Sequence, residues 1–346
     1  MRKTSAIIVF IVSVLIITLF LIIGSWRRTA HGKLDPAIAV ILKYSEIKKI
    51  DLFQDGRSVE EIRKFSSKNG KILRAKPVPV EKIDNRSIPG TAGSIPVRIY
   101  TPSGSGPFPV VIYYHGGGWV IGDLDSHDNI CRKIANRVSA VVLSVGYRLA
   151  PEHTFPAAAE DAYAALKWAS TNSKEINGIK NRIAVAGDSA GGNLSAVVSL
   201  MTRDRNGPAI AGQVLIYPAT NLSEFNTVSY KDFSNGYYLT KRYMEKFREL
   251  YLPDRKDWNN PYASPLLANN LKGLPPALVI TDQFDVLRDE GEAYAERLKE
   301  AGVPVRSTRY SGVIHGFVVM DRITGKADDA VDEVASYLKK TFNKHL

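Results

Sequence analysis

Residues 182–193, RIAVAGDSAGGN, run an apolar strand straight into a Gly-x-Ser-x-Gly turn that opens a helical pattern. A strand turning this sharply into a helix leaves the serine backbone strained, and Gly187 and Gly191 let the flanking segments approach closely. Ser189 is thereby carried clear of the sheet, as in a nucleophile elbow. A glycine-rich turn of this kind can also merely pack tightly or hold a phosphate. A serine hydroxyl is a weak nucleophile at neutral pH, so the elbow needs a base within hydrogen-bonding reach.

Outward from this turn, short β-rich runs alternate with helical patterns. Strands are expected at Val97 to Tyr100, Val110 to Tyr114, Val141 to Val145, Arg182 to Ala186, Gln213 to Tyr217, Ala277 to Thr281 and Val305 to Tyr310. Several are continuously apolar, as strands covered on both faces are. Helices are expected at Asn129 to Val138, Ala157 to Ser170, Leu194 to Asp204, Glu290 to Ala301 and Ala327 to Phe342. The order predicts an α/β fold, a mostly parallel central sheet flanked by helices, with binding groups outside the carboxyl ends of the strands. Asp35-Pro36 opens a further helix to Ile47, and Ser58 with Glu61 reads as a capping box for another. Residues 222–264 break the alternation, with a helix expected at Lys241 to Tyr251; with residues 34–75 they are read as a helical cap over the sheet.

His115-Gly116-Gly117-Gly118 follows the strand Val110 to Tyr114. Its glycines free the backbone to aim N–H groups, which with the N–H of Ala190 can surround an oxygen that becomes negative in a tetrahedral intermediate. His115 is read as shaping this loop and not as a base. Of the six histidines, His315 stands in a glycine-bearing loop after a late strand, where it can reach the sheet edge that carries Ser189. His127 and His153 are read as structural. An orienting carboxylate belongs between Ser189 and His315 in the chain, and Asp282, Asp285, Asp289 and Glu290 all offer one. Spacing does not choose among them.

Five stretches together resemble the hormone-sensitive lipase-like branch of the α/β-hydrolases, which includes microbial carboxylesterases and membrane-anchored arylacetamide deacetylases. They are HGGGWVIGDLDSHD from His115, YRLAPEHTFPAAAEDAYAALKW from Tyr147, GDSAGGNL from Gly187, DVLRDEG from Asp285 and HGF from His315. The resemblance spans Val97 to Phe342 and implies an α/β-hydrolase fold. It implies Ser189 as nucleophile, Asp285 as acid, His315 as base and the N–H groups of Gly117, Gly118 and Ala190 as oxyanion hole, with His115, Gly116, Gly187, Asp188 and Gly191 as motif support. It also implies hydrolysis of short- to medium-chain acyl esters without metal or cofactor. Val286 stands where relatives often have proline, a change in loop stiffness more than in chemistry. Arg148 is read as paired with nearby carboxylates and not as a substrate ligand. The same triad could serve an amidase or deacetylase, and relatives that serve as non-catalytic ligand receptors typically lose a triad member, all three of which this chain keeps.

The 346 residues are 45% hydrophobic and 23% charged, enough for a sizeable core and against general disorder. One cysteine, Cys131, excludes an intrachain disulfide and a cysteine-based zinc site. No Gly-x-Gly-x-x-Gly follows an early strand, which argues against a dinucleotide-binding oxidoreductase. The net charge of +11 includes Arg2, Lys3, Arg27 and Arg28 in an acid-free first thirty residues, and is weak grounds for nucleic acid as a partner. Ala6 to Ile23 form an eighteen-residue apolar run, about 27 Å as a helix, close to the ~30 Å hydrocarbon core of a bilayer. It is read as an uncleaved membrane anchor within residues 1–30, Trp26 at the interface, ahead of a catalytic domain at 31–346. Basic residues nearly balance across the run, and the reading leans to a cytoplasmic amino terminus with the catalytic domain outside. A small-molecule ester, with a lipid-derived one made plausible by the anchor, is the expected partner, and an oligomer is compatible with the sequence.

Overall fold

The computed structural model describes Ser13 and residues 17–344. A two-stranded hairpin, β1 Arg28–Thr29 and β2 Gly32–Lys33, precedes one eight-stranded sheet. The sheet comprises β3 Lys82–Gly90, β4 Gly93–Thr101, β5 Phe108–Tyr114, β6 Val141–Val145, β7 Gly178–Asp188, β8 Gly212–Ile216, β9 Ala277–Phe284 and β10 Val305–Ile314. Their order across it is β10-β9-β8-β7-β5-β6-β4-β3. The β3/β4 and β4/β6 pairs are antiparallel and the others parallel.

Every residue of β6 and β8 is buried, as a strand covered on both faces requires. Each buried Val, Leu or Ile there contributes roughly 1.5–3 kcal/mol. Helix Ala157–Thr171 packs on helix Ala190–Asp204, and helix Asp128–Val138 on helix Lys326–Asn343. The expected strands and helices all occur, most of them extended by one to four residues at an end.

The short hairpin strands β1 and β2 and, within the large sheet, β3 are not announced by the sequence pattern. The β3 sequence, KIDNRSIPG, buries only Ile88, because it lies at the sheet edge with water on one side. An edge strand tolerates charge and proline that a central one cannot.

Asp35 caps helix Pro36–Ile47 through the N–H groups of Ala37 and Ile38, and Ser58 and Glu61 form the expected capping box on helix Val59–Leu73. The segment between them is tied to helix Lys241–Tyr251. Arg242 donates to Asp51 Oδ2 at 2.8 Å, the Leu52 N–H donates to the Tyr243 hydroxyl at 2.8 Å, and the Phe53 ring meets Phe247 edge-on at 5.0 Å.

Among the described residues no helix is long and apolar enough to cross a membrane. Most of the apolar run 6–23 lies outside the described residues; its part from 17 to 23 is helical.

Candidate active site

The sheet reverses its winding beside β5. The chain leaves β5 for β6 on one side, then crosses back to β7 and continues outward through β8, β9 and β10. A crevice opens outside the carboxyl ends of adjacent strands at such a reversal. Tyr114 of β5 is in register with Gly187 of β7, so the His115–Gly118 loop and the Ser189 turn leave the sheet side by side.

Ser189 has φ 56° and ψ −118°, a left-handed conformation that costs a non-glycine residue about 1–3 kcal/mol. The Ser189 N–H donates to Ile216 O at 2.8 Å, and its carbonyl accepts from Asn193 N at 2.9 Å. The Asn193 side chain in turn donates to Ala219 O at 2.8 Å and Ala263 O at 2.9 Å. A Cβ on Gly191 would collide with the carbonyl of Tyr114, and one on Gly187 would come within 2.5 Å of the same oxygen. Both glycines therefore answer to backbone against backbone, where nothing can give.

His315 follows β10 and Asp285 follows β9; Ile314 and Phe284, the residues before them, are in register. His315 Nε2 lies 2.8 Å from Ser189 Oγ, and Nδ1 lies 2.8 Å from Asp285 Oδ2. Asp285 is 1% exposed and His315 6%, while Ser189 stays partly open to solvent. Asp285 Oδ1 accepts the Leu287 N–H at 3.0 Å, which sets the carboxylate plane. The Tyr217 ring packs on His315 with centroids 4.6 Å apart. Of the other three acids, Asp289 accepts from Ser229 N at 2.7 Å and Glu290 from Thr220 N at 2.6 Å. Asp282 lies close to both Asp285 and His315.

Gly117 at φ +126° and Gly118 at φ +58° adopt backbones that L side chains rarely accept. A Cβ on Gly117 would strike Ile121 O and one on Gly118 the Phe247 ring, so the loop is closely packed on both sides. The N–H groups of Gly117, Gly118 and Ala190 have no partner among the described residues. They are three donors free for a ligand oxygen.

A buried network holds that loop from behind. Asp188 accepts from Tyr113 OH at 2.8 Å and from Gly116 N at 3.1 Å, and His127 Nε2 lies 3.2 Å away. Burial alone would raise the Asp188 carboxyl, but the charge and hydrogen bond of His127 and the Tyr113 hydroxyl hold it below the ordinary carboxylate range. His115 stacks on Tyr147 at 4.3 Å, and its Nδ1 lies 2.8 Å from Gly116 O. These contacts hold the ring against Tyr147 and its own loop, and neither is with Ser189. Arg148 meets buried Asp161 with two bonds of 2.7 and 2.8 Å, the expected carboxylate pairing.

Burial, then the nearby His127, pushes the His115 imidazole from 6.5 down to about 4. The unfolded chain therefore takes up this proton first, and the contribution to stability falls as pH drops from about 6.5 to about 4, by about 3 kcal/mol in all. Glu290, raised by burial from 4.5 to about 8, slopes the opposite way between those values. The His115 part is isolated by difference. Unfolding free energy measured against pH for wild type and His115→Gln is expected to show a flatter acid slope in the variant; parallel slopes contradict the buried neutral imidazole.

Three features at this site were not read from the sequence: Phe247 over Gly118, Tyr217 against His315, and the burial of Asp282. Met244, Phe247 and Tyr251 mark a buried stripe at helical spacing. That pattern announces a covered face and not what lies beneath it.

Residues 111–319 match the alpha/beta hydrolase fold family. The chain is 44% identical over 315 residues to the carboxylic ester hydrolase LipN of Mycobacterium tuberculosis, covering 88% of this chain and 82% of that one. It is 39% identical over 314 residues to the esterase LipI of the same organism, covering 89% and 96%. Among solved structures, the hyperthermophilic esterase of the archaeon Pyrobaculum calidifontis superposes with a TM-score of 0.84 at 44% identity, covering 89% of this chain and 98% of the other. The fold, the motifs and these relatives agree, and the chain belongs to the hormone-sensitive lipase-like branch of the α/β-hydrolase family.

Proposed function

We propose that Ser189 is the nucleophile of this carboxylic ester hydrolase, with His315 as its base, Asp285 as the orienting acid, and the N–H groups of Gly117, Gly118 and Ala190 as the oxyanion hole. The observation that carries the reading is the continuous hydrogen-bonded chain Ser189 Oγ, His315 Nε2, His315 Nδ1, Asp285 Oδ2, with 2.8 Å at both contacts. Ser189 Oγ attacks the ester carbonyl as His315 Nε2 takes its proton. The carbonyl oxygen becomes an oxyanion that the three free N–H groups receive, a gain of about 3–4 kcal/mol per donor. Collapse breaks the C–O bond, and the imidazolium returns its proton to the departing alcohol. Water, deprotonated by the same imidazole, then attacks the acyl carbonyl; collapse breaks the bond to Ser189 Oγ, which takes the proton back from His315 Nε2 as the acid leaves. Asp285 stays ionised throughout, holding the tautomer with the proton on Nδ1 and stabilising the imidazolium.

The substrate reading is a short- to medium-chain acyl ester. What supports it is the closeness of Phe247 to Gly118 and of Phe53 to Phe247, an aromatic wall beside the attacked carbonyl. Segments 34–75 and 222–264 form the cap in this reading, joined by the Asp51, Leu52 and Phe53 contacts to helix Lys241–Tyr251. Residues 1–30 form a single membrane anchor with the catalytic domain on the extracytoplasmic side. This rests on the apolar run 6–23, whose described part exposes Phe20 by 73% and Leu21 by 70%. A lipid-derived ester then becomes accessible to the site.

Hydrolysis of nitrophenyl esters of graded acyl length by the detergent-solubilised full chain tests the reading. The expected result is kcat/KM highest at short or medium chains and falling beyond them. A maximum on long acyl chains contradicts the substrate assignment. Turnover confined to matched anilides contradicts ester hydrolysis in favour of amide cleavage.

A further inference from the structure

Asp282, near the end of β9, is fully buried, and no donor from another described residue reaches either of its carboxyl oxygens. One of its oxygens, one of Asp285 and a ring nitrogen of His315 all lie within 4.8 Å of one another. Two carboxyl groups this close do not both stay ionised, because like charges in a buried site repel strongly. Asp285 already has two donors for its charge, His315 at 2.8 Å and the Leu287 N–H at 3.0 Å, whereas no other residue donates to Asp282, which has only the weak help of its own backbone N–H. The proton of the pair belongs on Asp282, and the Asp285 carboxylate is the acceptor beside it. We propose, on the reading of Ser189, His315 and Asp285 as the triad, that Asp282 is a positioning residue: a neutral carboxylic acid that keeps its proton and donates a hydrogen bond to the Asp285 carboxylate. With the Leu287 N–H it fixes the orientation in which Asp285 Oδ2 points at His315.

The surroundings agree. Burial, then the charge of Asp285, pushes the Asp282 carboxyl well above its usual range. The positive charge of Arg288 and the backbone N–H of Asp282 itself oppose this and do not outweigh it. Arg288 is engaged by Asp289 at 2.8 Å, and Tyr310, in register with Asp282 on β10, donates its hydroxyl to Glu333 at 2.9 Å. The Tyr217 hydroxyl is itself neutral, raised by burial and by Asp188, Asp282 and Asp285. A carboxylic acid kept neutral by an apolar site so that it can donate a hydrogen bond is an established enzymatic device.

The test compares Asp282→Asn, whose amide keeps a neutral donor in the same shape, with Asp282→Ala, which removes it. Asp282→Asn is expected to retain kcat close to wild type. Asp282→Ala is expected to lose roughly tenfold to a hundredfold in kcat with KM unchanged, because the acid that aims the imidazole is no longer held. Wild type is also expected to lose kcat at alkaline pH as Asp282 ionises, a limb absent from Asp282→Asn. That comparison decides the matter if the alanine variant does not fold. Wild-type kcat in a folded Asp282→Ala, equal losses in both variants, or identical alkaline limbs overturn the proposal. So does zinc chloride changing the rate of wild type but not of Asp282→Asn, which makes the cluster a metal site instead. Asp285→Asn and Ser189→Ala are run alongside: if they keep activity, the triad reading itself has failed, whereas their collapse beside an unaffected Asp282→Ala sinks only the role of Asp282.

Discussion

Ser189→Ala is expected to lower kcat on a nitrophenyl ester by about 10⁶-fold, with stability changed by no more than about 1 kcal/mol. The size follows from what the hydroxyl does. Without Oγ there is no covalent intermediate, and His315 has no nucleophile to deprotonate, so only the oxyanion donors and binding remain to act on a water molecule. The small effect on folding follows from the backbone. The φ of 56° at position 189 is imposed by the Gly187 and Gly191 contacts and by the bond to Ile216 O, none of which needs the side chain. Steady-state hydrolysis and thermal melting of the two proteins check both halves. Retention of activity within tenfold assigns the chemistry to another group.

Asp285→Asn is expected to cut kcat by about 10⁴-fold while the fold persists. An asparagine amide can present N–H to His315 Nδ1, which then accepts and moves the ring proton to Nε2. An imidazole protonated at Nε2 donates to Ser189 Oγ instead of accepting its proton. The loss is therefore one of tautomer more than of charge. Asp289→Asn serves as control, because Asp289 is engaged by Ser229 and Arg288 and not by the imidazole. A fall of this size in Asp289→Asn, with Asp285→Asn active, contradicts the assignment of the acid.

Much of this site is legible in one sequence because glycine identity reports where backbone touches backbone. Gly187 and Gly191 are required by the carbonyl of Tyr114, and Tyr114 abuts Gly187 because β5 and β7 are neighbours. His315 stands out among the histidines because it follows a late strand. The pairing expected for Arg148 is met by Asp161, which the helix Ala157–Thr171 brings back to the loop after β6.

The acid was harder to see. Asp282, Asp285, Asp289 and Glu290 fall within nine residues that run from the end of β9 into the next helix, and which of them meets the imidazole depends on the register of β9 against β10 and on the fold of the loop after Phe284. Neither is encoded in spacing; only the family resemblance selected Asp285. Edge strand β3 and the wall made by Phe247 were hidden for a related reason. Edge strands lack the apolar run that marks central ones, and an amphipathic helix discloses its buried face without naming the surface beneath it.

In the proposed reaction the acyl group passes through Ser189 Oγ. This route is tested most directly by mixing the full chain with excess nitrophenyl acetate, quenching in acid within the first turnover, and locating the acetyl group by peptide mass spectrometry. An acetyl mass is expected on the peptide that contains Ser189, absent from Ser189→Ala and accumulating in step with the released nitrophenol. Nitrophenol released with no acyl group on that peptide at any quench time, or an acetyl group on another residue that Ser189→Ala leaves in place, would contradict this route.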